Sequence, residues 1–301
     1  MIHNKKNIRD FGVIPGFYCN KKCLHCGNVS NSNEKLGLTR REINLVKQTV
    51  SINLFEKLIF SGGEPTFYID SINEIVKSCP DLKKTKIQIT TNGWFAKNNL
   101  DTTLSKFLKI DVLQLSYDIF HKTELLDTDI INLKNYCKEN KIYFLLSTCI
   151  TNPAELLKSK VIQEKLDVPI IYQKVEAFGR AKKNKIYYKY PMFQKEVFSK
   201  KCPNIGQISY ICGKGFSICC SNLVFNSNQV NNDVIHQTFE KHASSEFYKQ
   251  RINMTLGEIY TQKTGEIPKA VFPSSYSSEC QFCEHIVNYP QKKIYKRGVI
   301  R

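Results

Sequence analysis

The stretch Phe11-Gly-Val-Ile-Pro-Gly-Phe-Tyr-Cys-Asn-Lys-Lys-Cys-Leu-His-Cys26 joins an apolar, strand-like run to three cysteines in the order C-x3-C-x2-C. Cys19, Cys23 and Cys26 lie close together in the chain, and no fourth cysteine follows nearby. A cubane iron–sulfur cluster has four irons, so three protein thiolates leave one iron open to a ligand that is not protein. The motif therefore predicts a cluster that takes part in chemistry.

Two other uses of these cysteines are open at this point. With His25, the three thiols could form part of a zinc site, although zinc ribbons usually carry C-x2-C pairs. A disulfide framework is the second use, since the 301 residues include 12 cysteines. No signal peptide and no long apolar run are present, which is not the pattern of a secreted or membrane protein. The sequence predicts a cytoplasmic protein that does not enter a membrane.

The formal net charge of +17 arises from 44 basic and 27 acidic residues. Such a surface attracts acidic partners, among them nucleic acids and acidic peptides. The basic residues are scattered in short lysine pairs, with no arginine-rich arm and no stripe of interleaved aromatic residues. A solvated, lysine-rich surface is therefore expected, and a nucleic-acid partner is not.

The first 190 residues alternate strand-like runs with helical patterns, one of which opens with the capping-box sequence Thr39-Arg-Arg-Glu42. Six β–α units in series predict a parallel α/β sheet with right-handed crossovers. Six strands are too few for a closed eight-stranded barrel, so we expect a partial (β/α)6 TIM barrel with its chemistry at the carboxyl ends of the strands. The six predicted strands are Gly12–Tyr18, Lys57–Ser61, Lys86–Thr91, Asp111–Tyr117, Tyr143–Ile150 and Pro169–Val175.

The cysteine motif and the turns after these strands resemble the radical S-adenosylmethionine (SAM) superfamily. Ser61-Gly-Gly-Glu-Pro65 is similar to the G-G-E-P element of those enzymes, and Thr90-Thr-Asn-Gly93 and Ser116-Tyr-Asp118 follow the next strands. Three of the polar residues, at the ends of the third and fourth strands, could instead cap the following helices. The resemblance implies that SAM contacts Gly62, Gly63, Glu64, Asn92, Ser116, Asp118 and Arg180. It also implies a [4Fe–4S] cluster on the first three cysteines.

Residues 191–301 carry a second group of cysteines. Two β-like runs, Gln207–Cys212 and Phe216–Cys219, flank Gly213-Lys-Gly215, which predicts a hairpin. This region resembles the small α+β twitch domain of radical SAM enzymes, which holds one auxiliary [4Fe–4S] cluster. Zinc remains an alternative, because spacing alone does not separate the two. The expected auxiliary ligands are Cys202, Cys219, Cys280 and Cys283.

Cys219 and Cys220 are adjacent, and successive residues on a strand point to opposite faces. Both thiols cannot easily bind one site, so one is expected to be free. The sequences Ser116-Tyr-Asp-x-x-His121, Cys202-Pro203, Cys219-Cys-Ser221 and Ser277-Ser-x-Cys-x-x-Cys283 resemble the radical SAM epimerases that mature epipeptides, a class of ribosomally made peptides. Arg180 and Pro65 depart from that group. The spacing from Cys202 would allow Cys220 to be the ligand, but the likeness makes Cys219 the ligand and Cys220 the free thiol.

The resemblance implies a reaction in which a 5′-deoxyadenosyl radical removes the Cα hydrogen of an L-residue. The thiol of Cys220 then returns hydrogen from the other face to give a D-residue. The implied partners are a precursor peptide and an external flavodoxin- or ferredoxin-like reductant. Only 18 residues precede Cys19, so we expect the barrel mouth and twitch region to hold the peptide. The alternatives are peptide crosslinking, substrate dehydrogenation and, more distantly, a basic zinc protein that binds nucleic acid.

Overall fold

The computed structural model describes residues 8–121, 125–225, 233–268 and 271–290. The part of the chain that it describes contains eight strands, and the first six match the six predicted runs. The strands are β1 Asp10–Ile14, β2 Lys57–Phe60, β3 Lys86–Thr91, β4 Val112–Ser116, β5 Tyr143–Ile150, β6 Ile170–Lys174, β7 Gln207–Ile211 and β8 Gly215–Ser217.

The main difference lies in β1, which was expected to continue to Tyr18 and ends at Ile14. Pro15 follows, and proline has no backbone N–H for the ladder. The chain then pairs with a different segment, since Phe17 N donates to Leu36 O at 3.0 Å. The cysteine loop therefore leaves the sheet immediately after the first strand.

All eight strands form one sheet in the order β6-β5-β4-β3-β2-β1-β7-β8. Neighbouring strands from β1 to β6 pair in parallel, which confirms the predicted α/β fold of the partial-barrel type. The sheet continues beyond β1, because β7 pairs with it in parallel and β8 returns as the predicted hairpin.

Helices alternate with the first six strands, and shorter helices follow the hairpin. The predicted capping box at the start of the first helix is present, with Thr39 and Glu42 bonded to each other's backbone N–H groups. The helices are α1 Arg40–Ile52, α2 Ile69–Val76, α3 Leu100–Leu104, α4 Asp127–Glu139, α5 Ala154–Leu166, α6 Gly179–Lys183, α7 Asn222–Phe225, α8 Phe239–Ser244, α9 Glu246–Asn253, α10 Leu256–Thr264 and α11 Glu279–Asn288. Within the described ranges, no helix has both the length and the hydropathy to cross a membrane.

The two faces of the sheet differ in chemistry. On β3, Ile87 and Ile89 are fully buried in the main apolar core, while Gln88 and Thr90 point to the other face and line a cavity. We call the face that lines this cavity the inner face of the sheet. The same alternation on the other strands places amide and hydroxyl groups on it. Its polar members on the strands and at their ends are Ser61, Gln88, Thr90, Gln114, Ser116, Ser147, Gln173 and Gln207.

The C-terminal region contributes to both the sheet and a separate apolar cluster. Glu42 connects the hairpin to α1, because its Oε1 accepts from Tyr210 Oη at 3.0 Å and Gly213 N at 2.7 Å. A smaller cluster forms apart from the main core around α10 and α11. The boundary after residue 190 stays a prediction.

Candidate active site

A cavity of about 520 Å3 opens on the inner face of the sheet. Its lining brings together residues that are far apart in sequence, from the first cysteine loop and from the C-terminal cysteine group. The predicted residues that line it are Cys19, Cys23, Cys26, Gly62, Gly63, Glu64, Asn92, Ser116, Arg180 and Cys220. Asp118 is the one predicted SAM residue that does not.

Arg180 holds the cysteine loop from the opposite end of the sheet. Its Nε donates to Cys23 O at 2.8 Å, Nη1 to Val29 O at 3.1 Å and Nη2 to Ser30 O at 2.6 Å. Its backbone N donates to Cys26 O at 2.9 Å. The guanidinium therefore positions the loop that carries the three thiols, and contact with SAM stays a prediction for this residue.

Gly179 allows this close approach. Its φ of +55° lies in the left-handed region, and a Cβ built on it would stand 2.2 Å from Gly27 O. A side chain at this position would push α6 away from the cysteine loop. The sequence Gly179-Arg180 is thus explained by the contact with the loop.

Asn28 is a site residue that the sequence analysis missed. Its Oδ1 accepts from Cys26 Sγ at 2.9 Å and from Ser30 Oγ at 2.9 Å, and its Nδ2 donates to Gly62 O at 2.7 Å. It therefore connects the cysteine loop to the glycine turn after β2. The sequence signal that could have identified Asn28 as a site residue is its position two residues after Cys26, the last cysteine of the motif.

One set of metal-type ligands lies beside the first cysteine group. Among the described residues, His25, Asp118 and Cys149 have ligand atoms within 4.8 Å of one another. Cysteine thiolates bind both zinc and iron–sulfur clusters, so the donor set of each cysteine group fits either.

Two thiols of the first group, those of Cys19 and Cys23, are held in their protonated form when no metal is bound. Burial raises the pKa of Cys23 to about 12, with a further contribution from the neighbouring Cys26 and Cys19. Burial also raises the pKa of Cys19. Because metals bind the thiolate, binding at this site must release protons.

Glu64 is the only carboxylate among the described residues that line the cavity, and its side chain is fixed. The residue is 1% exposed, and burial raises its pKa. Oε1 accepts from Thr91 Oγ1 at 2.7 Å and Thr66 Oγ1 at 2.9 Å, and Oε2 accepts from Asn92 N at 2.9 Å. The carboxylate therefore joins the turns after β2 and β3 in a defined orientation toward the cavity.

Asn92 joins the same turn to the cysteine loop. Its Nδ2 donates to Asn20 Oδ1 at 2.9 Å and lies 3.6 Å from Cys19 Sγ. Gly63 makes a close approach here as well, because a Cβ on it would stand 2.1 Å from Tyr18 O. These contacts place the glycine turn directly against the loop of thiols.

Asp118 bonds to the backbone of the turn that follows β4, whereas the next helix, α4, has Leu126 and not Asp118 at its N-cap. Oδ1 accepts from the backbone N of Phe120 at 2.8 Å and of His121 at 2.9 Å, and Oδ2 accepts from Cys149 N at 3.2 Å. His121 Nδ1 lies 2.8 Å from Oδ2. Burial alone would raise the pKa of Asp118, but His121 and the hydrogen bonds hold it below its usual value. Asp118 thus turns His121 into the cavity, and its own contact with SAM stays a prediction.

His25 packs against two aromatic rings at the edge of the cavity. Its ring centroid lies 5.3 Å from Phe120 and 4.7 Å from His121. Burial and the neighbouring His121 lower its pKa to about 4, so the ring is neutral near pH 7. The contacts of His25 are therefore packing contacts with these two rings.

The second cysteine group surrounds a small cavity of about 30 Å3. Cys202, Cys219, Cys220, Cys280 and Cys283 all line it, although three separate segments supply them. Burial raises the pKa of Cys202 to about 12 and also raises the pKa of Cys219 and Cys280. The predicted auxiliary ligands are therefore brought together in one enclosed site.

The adjacent cysteines differ in surroundings. Cys219 Sγ lies 3.1 Å from Ser221 Oγ and lines only the small cavity. Cys220 is exposed and lines both cavities, and its Sγ accepts from Asn204 Nδ2 at 3.2 Å. Asn204 is also fixed by its bond to Ile218 O at 2.9 Å. Surrounding protein atoms raise the pKa of Cys220, which keeps its thiol protonated near pH 7.

Two histidines support the strand that leads into this pair. His242 Nε2 accepts from Ile218 N at 2.8 Å, so its proton must be on Nδ1, which lies 3.0 Å from His236 Nδ1. Burial lowers the pKa of His242 to about 3. The pair is therefore neutral and has one arrangement of protons.

Comparison with known proteins identifies the first half of the chain. Residues 13–158 match the profile of the Radical SAM superfamily. A GTP 3′,8-cyclase of Methanocella arvoryzae is 31% identical over 75 residues, which are 25% of this chain and 24% of that protein. A glycyl-radical enzyme activating enzyme of Methanocaldococcus jannaschii is 27% identical over 142 residues, 44% of this chain and 57% of that protein.

The matched parts span from about a quarter to just over half of these relatives' lengths. Among solved structures, anSMEcpe with bound AdoMet and a peptide covers 93% of this chain and 96% of its own, with a TM-score of 0.51 and 13% identity. At that identity the likeness concerns the fold alone.

Proposed function

We propose that this radical SAM domain and the C-terminal cysteines together form a peptide epimerase, which converts L-residues of a ribosomally made precursor peptide into D-residues. The observation that carries the proposal is the position of Cys220. Its thiol is exposed to the cavity that contains the first three cysteines and also borders the site of the other four. A hydrogen-atom donor needs access to the first site and a path for electrons from the second.

Cys19, Cys23 and Cys26 would hold a [4Fe–4S] cluster, and the turns that contain Gly63 and Glu64 would hold SAM beside it. When bound, this pair supplies a radical that removes one hydrogen atom from a substrate carbon. The residues around the site fit these groups: the glycine turn contacts the cysteine loop, and the one lining carboxylate faces the cavity where an amino group could pair with it.

Cys220 supplies the second hydrogen atom. After hydrogen has been removed from Cα, the carbon is planar, and the S–H bond of Cys220 breaks as a C–H bond forms on the opposite face. One hydrogen atom leaves the peptide and one returns, so its mass in ordinary water is unchanged. The sulfur is left as a thiyl radical, which needs one electron and one proton to become a thiol again. An external flavodoxin- or ferredoxin-like donor supplies the electron, and solvent supplies the proton.

Cys202, Cys219, Cys280 and Cys283 would hold an auxiliary [4Fe–4S] cluster beside Cys220. Four thiols around one site are the ligand set of such a cluster, and iron analysis separates it from a zinc ion on the same thiols. Ser221 and Asn204 hold the two adjacent sulfurs in different environments, which supports Cys219 as the ligand and Cys220 as the free thiol.

The chemistry of the cavity supports a peptide as the substrate. Amide side chains line its inner wall, and Gln88 Nε2 donates to Gln114 Oε1 at 2.9 Å, leaving donors and acceptors that match backbone N–H and C=O groups. These side chains could therefore hydrogen-bond to a segment of peptide backbone that enters the cavity.

The test uses the reconstituted enzyme with SAM, a reductant and a synthetic peptide encoded by a short reading frame next to this gene. Cys220→Ala should still form 5′-deoxyadenosine but give at least ten-fold less D-product, because the radical is made and not quenched correctly. Cys79→Ala removes a thiol remote from both cavities and should match the wild type. Unchanged epimerisation by Cys220→Ala would contradict the proposal.

Two further readouts separate the alternatives. A product lighter by two hydrogens would indicate dehydrogenation or crosslinking in place of epimerisation. Cys149 also lines the cavity, so loss of D-product in Cys149→Ala with full activity in Cys220→Ala would assign the hydrogen donor to the other thiol. A chain that binds zinc and no iron would contradict both cluster assignments.

A further inference from the structure

Arg251 is a buried cation that the proposed reaction does not use. It lies on α9 and is 3% exposed. Nη2 donates to Cys283 Sγ at 3.4 Å, Nη1 donates to Gln250 Oε1 at 3.0 Å, and the guanidinium lies 4.1 Å from the ring centroid of Phe247. Its Nε is buried and meets no acceptor among the described residues. Burying a charge in this way is costly unless negative charge lies beside it.

The other side chains around the small cavity do not supply that negative charge in full. Glu279 is the one carboxylate lining the described cavity, and Lys200 Nζ pairs with it at 2.7 Å. Burial raises the pKa of the nearby Glu176, which favours its neutral form, and it is bonded to Ser278. Arg251 is thus the only cation among the described residues that line this cavity, and it contacts a sulfur.

We propose that Arg251 is a positioning and charge-compensating residue of the auxiliary site, which stabilises the reduced form of an iron–sulfur cluster held there and so raises its reduction potential. This inference rests on the proposed function, because it requires a cluster on these cysteines. A cubane with four thiolate ligands is an anion, and each added electron makes its charge more negative. A cation that also donates a hydrogen bond to a ligand sulfur stabilises the reduced form more than the oxidised one.

This potential matters to the proposed reaction because the electron must be available to the thiyl radical of Cys220. Cys220 borders the same cavity as Arg251, so the charge acts next to the residue that needs the electron. The planar guanidinium suits the position, since it stacks on Phe247 while one edge donates to sulfur.

The test isolates the auxiliary site in a parent variant that carries Cys19→Ala, Cys23→Ala and Cys26→Ala. Arg251→Gln and Arg251→Lys are added to this parent, and Arg40→Gln serves as the control that removes one surface arginine, 70% exposed and paired with Glu74. Iron and sulfide content and an EPR-monitored redox titration are measured on each protein. Circular dichroism checks that each variant is folded.

We expect a more negative midpoint potential for Arg251→Gln, a smaller shift for Arg251→Lys and no shift for Arg40→Gln. A folded Arg251→Gln that loads no iron while Arg251→Lys does would also support the need for a charge. Equal midpoints in the parent and Arg251→Gln would overturn the inference, as would equal loss of iron in both Arg251 variants, which would indicate packing alone. If the parent itself binds no iron, the auxiliary cluster of the proposed function is wrong and the inference is overturned with it.

Discussion

The two cysteine groups are built in opposite ways. The first lies on one short loop beside a cavity of about 520 Å3, whereas the second is assembled from three segments around a cavity of about 30 Å3. In the first group, side chains from other elements hold the loop, with Arg180 bonded to three of its carbonyl oxygens. In the second group, an arginine contacts a sulfur itself.

This difference indicates different tasks. An open site with three thiols leaves room for a ligand that enters and leaves, as a cosubstrate must. A closed site with four thiols protects a bound group from solvent and favours electron transfer over ligand exchange. Cys220 is the residue that borders both, so variants in each group should separate radical formation from radical quenching.

The largest effect is expected from Cys23→Ala in the first group. Removing one of three thiols should abolish SAM cleavage, because the remaining two cannot hold the cluster in place. Iron should fall from about eight to about four per chain, since the auxiliary group is untouched. Formation of 5′-deoxyadenosine at wild-type rate would show that the first group is not the SAM site.

The second comparison concerns the adjacent thiols. Cys219→Ala should lower iron to about four per chain, while Cys220→Ala should keep about eight, because only the former removes an auxiliary ligand. Iron analysis with an EPR spectrum of each reduced protein measures this. The reversed pattern would make Cys220 the ligand and Cys219 the free thiol.

Arg180→Met should destabilise the protein and weaken loading of the first site. Three carbonyl oxygens of the cysteine loop would lose a charged donor, at a cost of about 3 kcal/mol in the free energy of unfolding. Urea unfolding and iron content measure the two effects, and the exposed Lys182→Met on the same helix is the control. Loss of stability with normal iron content at the first site would indicate that the hydrogen bonds of Arg180 stabilise the fold but are not needed to position the cysteine loop.

The smallest effect is expected on the pH dependence of stability, through the histidine pair His236 and His242 that lies behind the second cysteine group. His242 has a pKa lowered to about 3 in the folded protein against an ordinary 6.5, so the unfolded chain binds its proton first. Folding stability should therefore fall by about 1.4 kcal/mol per pH unit as the pH drops below 6.5 toward 3. His242→Gln keeps an acceptor for Ile218 N and does not titrate, so its stability should depend less on pH in this window. Equal slopes in urea unfolding at pH 4.5 to 6.5 would contradict this account of the pair.

Much of the fold follows from the sequence, because strand runs and turn residues are local signals. Five of the six predicted strands match those observed to within a residue at each end. The end of β1 was missed, since the proline after Ile14 was passed over. The pairing of β7 with β1 connects segments about 200 residues apart, and nothing in a local pattern indicates such a contact.

The positions of the candidate site residues were easiest to predict where they belong to a short motif, because the spacing within such a motif is a local signal. The three cysteines and the glycine turn lie together, as expected, but the side-chain partners of Asp118 and Arg180 follow from tertiary contacts. Asp118 bonds to backbone N–H groups after β4 and within β5, and Arg180 bonds to a loop 150 residues earlier. Arg251 carried no signal at all, because a single arginine in a basic chain is identified as buried only from the structure.

The most direct measurement of the central claim is the reaction of the wild-type enzyme with its peptide in deuterium oxide. The S–H of Cys220 exchanges with solvent before each turnover, so every inverted residue should carry one deuterium at Cα and the peptide mass should rise by one unit per D-residue. Amino-acid analysis after hydrolysis and mass spectrometry locate the label. D-residues without deuterium at Cα would show that the second hydrogen does not come from an exchangeable thiol, and would contradict the role given to Cys220.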